Sequence, residues 1–189
     1  MTVDPLSKSL AEATNFVYDL QADIRAMMTS LDAAMEQVGW APRNARLNHD
    51  LKDGLNGMWV LWNGYRLYAP KELGDSFDRL VFVVFHLAPP DDAGHDYATF
   101  LAAAVRFPTA TTSNDVWRSW GDTSAMHRAT VNQAEVTVLA PADFEKFTPG
   151  ASAVAALALP LCSLTGEADL RARVVGPILA AEKQLGAKK

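Results

Sequence analysis

Apolar residues recur in two seven-residue columns across the first forty positions of this chain, and no other feature limits its fold as tightly. One column reads Leu10, Val17, Ile24, Leu31, Val38, and the other reads Leu6, Ala13, Leu20, Met27, Ala34. Spacings that alternate four and three put both columns on one stripe of an α-helix, in the manner of a coiled-coil seam. Phe16, Met28 and Met35 widen the stripe, which suits packing against a broad core. Asp4 can cap the start, Pro5 fits the first helical turn, and Gly39 followed by Pro42 supplies the stop. A helix from Pro5 to Val38 would be about 50 Å long. A globule of this chain length is about 40 Å across. The helix must therefore break, with Thr14-Asn15 and Thr29-Ser30 as the weak points, or overhang its own body and meet something else.

The remaining positions read as sheet and then helix. Asn63-Gly64 between Met58–Trp62 and Tyr65–Ala69 predicts a tight hairpin, with Trp62 facing Tyr65 and Trp59 facing Tyr68. Arg79 to Leu87 is β-branched and aromatic, as a central strand should be. The segment 97–107 is open between helix, for its alanines, and strand, for Phe107-Pro108 and the meander before it. Thr112 to Asp115 offers caps for a short helix carrying Trp117 and Trp120. Thr130-Val131 and Glu135–Leu139 suggest a last hairpin. Ala151 to Leu164 is apolar on every side and reads as a buried helix, and Glu167 to Leu185 as an amphipathic one kinked at Gly176-Pro177. The expectation is one α+β domain: residues 1–40 a long amphipathic helix, 55–140 a mostly antiparallel meander sheet, 141–189 helical. Residues 1–40 carry two basic and six acidic side chains and residues 166–189 five basic and three acidic, so the two terminal helices are matched in charge.

The chain has 189 residues, 49% hydrophobic and 21% charged, with formal net charge −5. The acidic balance gives no bulk attraction to nucleic acid or to anionic membranes. Cys162 is the one cysteine, which rules out an internal disulfide or a Cys-based zinc site and suits a reducing compartment. With neither a signal-like start nor an apolar run of membrane-spanning length, a cytoplasmic, non-membrane protein is expected.

Chemistry-bearing motifs are few. No nucleotide-binding glycine loop, no G-x-S-x-G and no H-E-x-x-H is present, and the sequence requires no cofactor. His86, Asp91, Asp92 and His95 flank one loop and could ligate a divalent metal for hydrolase or nuclease chemistry, although Pro-Pro-Asp-Asp-Ala-Gly is also ordinary turn chemistry. Trp59, Trp62, Tyr65, Arg66 and Tyr68 concentrate aromatic area beside a cation, a composition suited to anchoring a protein partner. Trp117 and Trp120 could line a small-ligand pocket. The leading expectation is a non-enzymatic interaction protein that uses the long helix or the aromatic segment on a protein partner or a second copy of itself. Only Asp23 among the residues flanking the helical seam is charged, whereas a free-standing zipper carries Glu and Lys there. Pairing with the C-terminal helix, extended across a homodimer, fits that better.

Overall fold

A computed structural model describes residues 5–43, 48–51, 61–87, 97–119, 123–131, 133 and 135–187. The first helix, α1 (Pro5–Gln37), runs unbroken for 33 residues. Thr14 and Thr29 do not interrupt it, because each turns its hydroxyl back onto the helix. Thr14 Oγ1 donates to Leu10 O at 2.8 Å and Thr29 Oγ1 to Arg25 O at 2.9 Å. Gly39 ends the helix as expected, at φ +85°, where a side chain would be strained. Its carbonyl accepts from Lys71 N–H, so the stop is tied to the sheet.

Seven strands form one antiparallel sheet among the described residues: β1 (Trp40–Pro42), β2 (Asn48–Leu51), β3 (Leu61–Pro70), β4 (Ser76–His86), β5 (Thr99–Thr112), β6 (Thr137–Val138) and β7 (Ala153–Pro160). The order is β1-β3-β4-β5-β7-β6, with β2 pairing on β3 as well. Segment 97–107 thus resolves as strand. Its alanines, with those of β7, put small side chains on both faces of the sheet centre, where helices press from either side.

Three expectations are corrected. Asn63-Gly64 is no turn: β3 runs straight through it, with Gly64 opposite His49 of β2 and Phe85 of β4. A strand with partners on both edges gains more ladder bonds than a tight hairpin there would. The two strands flank residues 52–60, outside the described set. Ala151–Leu164 holds strand β7, so 141–189 is not wholly helical. A strand buried on both faces shows no alternation, and its alanine content mimics helix. Thr130 closes a helix, α3 (Ser124–Thr130), instead of opening a hairpin, and its Oγ1 donates to Met126 O at 2.7 Å.

Each sheet face has its own core. Val81, Val83, Phe85, Phe100, Ala102 and Ala104 pack under Ile24, Met28, Leu31 and Met35 of α1 and under Leu170, Val174 and Ile178 near the C-terminus. Leu80, Phe82, Val84, Leu101, Ala103 and Val105 face α2 (Ser113–Ser119), α3 and α4 (Pro141–Phe144) through Val116, Met126, Phe144 and the nearby Phe147. The C-terminal helical segment begins as α5 (Glu167–Asp169), widens to a π-type stretch at Leu170–Val175 and continues as α6 (Gly176–Ala187). The widening falls just before Gly176-Pro177. Pro177 has no N–H to give the helix, and Gly176 N–H donates five residues back to Arg171 O.

Candidate functional site

Only the second half of α1 belongs to the body. Ile24 is the first buried residue on it among those described from Ser7 onward. From Ser7 to Asp23 every residue is exposed except Val17, Leu20 and Gln21, which are half-buried. This free half is about 25 Å long. Leu10 remains 61% exposed and Phe16 67%. Leu10, Ala13 and Val17 prolong the line that Ile24, Leu31 and Ala34 bury in the body, Leu20 at its inner end is half-buried against that core, and Phe16 borders it. Farther along the helix this stripe is core; at Leu10, Ala13 and Phe16 it meets solvent. Tyr18, 68% exposed, lies off the stripe.

The free half is mixed in helix propensity: Lys8, Leu10, Ala11, Glu12 and Ala13 favour helix, and Lys8 pairs with Glu12 one turn on. Ser7, Ser9, Thr14, Asn15, Phe16, Val17 and Tyr18 are all middling or poor helix formers. Isolated helices of about this length are marginal in water even when rich in alanine, and most helical stability in proteins comes from covering an apolar face.

The helix is clamped to the sheet within its buried half, about two turns past Ile24. Arg66 on β3 donates to both oxygens of Asp32, Nε to Oδ1 at 3.0 Å and Nη2 to Oδ2 at 2.6 Å. Tyr68 Oη donates to Asp32 Oδ1 at 2.7 Å. Burial, then the adjacent Asp32 carboxylate, holds the Tyr68 phenol far above the usual tyrosine range. Two of the residues expected to anchor a partner are thus engaged inside the molecule. Tyr68 is fully buried, and Arg66 is the carboxylate's bidentate partner. Tyr65 is half-buried against the opposite core, its ring 6.4 Å from that of Phe82. Trp62 lies on β3, while Trp59 is outside the described residues.

A second polar group sits beneath α3. His86, at the end of β4, is buried, and its Nε2 lies 3.2 Å from Thr123 Oγ1. The His127 ring of α3 meets it edge-on at 4.5 Å between centroids. Thr99, directly across the β4–β5 ladder from His86, is fully buried too. Of the proposed metal set only His86 is described; Asp91, Asp92 and His95 lie outside the described residues, as does Trp120 of the proposed ligand pocket. Among the described residues no three His, Cys, Asp or Glu side chains gather as a metal centre would need. His127 was missed from sequence because its contact with His86 joins elements forty positions apart, and no local spacing signals it.

An open groove of about 550 Å³ runs between β6–β7 and α6, with Val136, Leu157, Leu159 and Ala181 as its apolar floor and Glu135, Arg173 and Gln184 at its polar rim. On the far side of α6, Glu182 is buried and forms an ion pair with Arg106 of β5, Oε1 to Nη2 at 2.5 Å, with Arg79 of β4 at 4.0 Å. Gly186 makes room for that guanidinium, since a Cβ there would collide with Arg106 Nη2 and Cζ. No helix among the described residues is long and apolar enough to cross a membrane. No protein-family model, curated protein or solved structure matches this chain.

Proposed function

We propose that this chain is a protein-interaction module that docks through the apolar stripe on the free half of α1. The observation that carries the reading is the continuous stripe itself: buried from Ile24 onward, exposed at Leu10 and Phe16. Fully burying a Leu or Phe side chain contributes about 1.5–3 kcal/mol. With some two thirds of their surface still in water, Leu10 and Phe16 together hold roughly 2–4 kcal/mol for a partner that covers them. Asp32, Arg66 and Tyr68 serve this reading from inside, by fixing the angle at which the helix leaves the body.

A photo-activated cross-linking residue tests it. Placed at Phe16, on the stripe, it should yield a discrete cross-linked protein product; placed at Asp19, off the stripe, it should not. Leu10→Glu with Phe16→Glu should abolish the association while leaving the thermal unfolding of the body in place. A Phe16 probe that captures nothing, in purified protein or in cell extract, would remove the docking role.

A further inference from the structure

We draw no further inference here: the strongest candidate, the open groove between β6–β7 and α6 with Val136, Leu157, Leu159 and Ala181 as its apolar floor, is an unpartnered surface, and nothing in the structure shows what covers it.

Discussion

Replacing Asp32 by alanine tests the clamp that sets the course of α1. The substitution removes three hydrogen bonds at once, two from the Arg66 guanidinium and one from Tyr68 Oη. The side chains of Arg66 and Asp32 keep 14% and 26% of their surface exposed, so solvent screens the pair only in part. Breaking a buried pair by deleting one partner costs about 3–5 kcal/mol. Partial exposure puts Asp32→Ala at the low end, about 3 kcal/mol. A share of that loss belongs to the Tyr68 hydroxyl, which sits in a fully buried residue and loses its carboxylate acceptor. Tyr68→Phe alone should cost about 1.5 kcal/mol, the low end for a bond to a charged group. Made in the Asp32→Ala background, the same change should cost nothing or stabilise slightly, because it now removes a stranded hydroxyl. Urea unfolding of the wild type, both single variants and the double variant yields the coupling directly, expected at about 1.5 kcal/mol or more. Additive single-variant losses, or an Asp32→Ala loss under 1 kcal/mol, would refute the clamp.

Glu182→Ala should destabilise the body by about 3 kcal/mol in thermal or urea unfolding, since it withdraws a buried carboxylate from Arg106 and Arg79; a loss no larger than that of an exposed substitution would show that Glu182 does not hold α6 to the sheet. Tyr68 should resist ionisation in the folded chain. With its phenol held protonated above the ordinary value of 10.0, its stabilising contribution is complete below that pH and is lost as pH rises beyond it. In alkaline absorbance titrations the folded wild type and Tyr68→Phe should therefore match until the wild type unfolds, and a missing increment in the variant before unfolding would contradict the burial argument.

What could be read from the sequence was whatever the chain encodes locally. The two heptad columns and Gly39 specify α1 because helical periodicity and a positive-φ stop act within a few residues. The run from Arg79 to His86 declares a strand through its β-branched and aromatic content. The overhang followed from length alone. Strand β7 was illegible because Ala153–Pro160 is buried on both faces and owes its conformation to β5 and β6, not to alternation. Asn63-Gly64 carries the signature of a turn, but ladders on both edges of β3 overrode it. The aromatic segment looked like a docking surface because sequence does not show that Asp32, over thirty positions earlier, receives Arg66 and Tyr68. The His86–His127 contact is likewise a product of tertiary structure.

The covering of α1 also sets an order of events during synthesis. The stripe from Ile24 to Met35 is shielded on one flank by Leu170, Val174 and Ile178. At ordinary translation rates of 5–20 residues per second, the roughly 140 residues between them take about 7–30 s to appear. Through that interval the first helix made has no access to the last, and its core half lies as bare as its exposed half. The sheet waits as well, since β5 lacks its neighbour β7 until the chain has passed Pro160. Closure by such distant contacts is intrinsically slow. The nascent chain is thus most adhesive before its last helix arrives, and that arrival turns the second half of one long apolar stripe into core while leaving the first half in solvent.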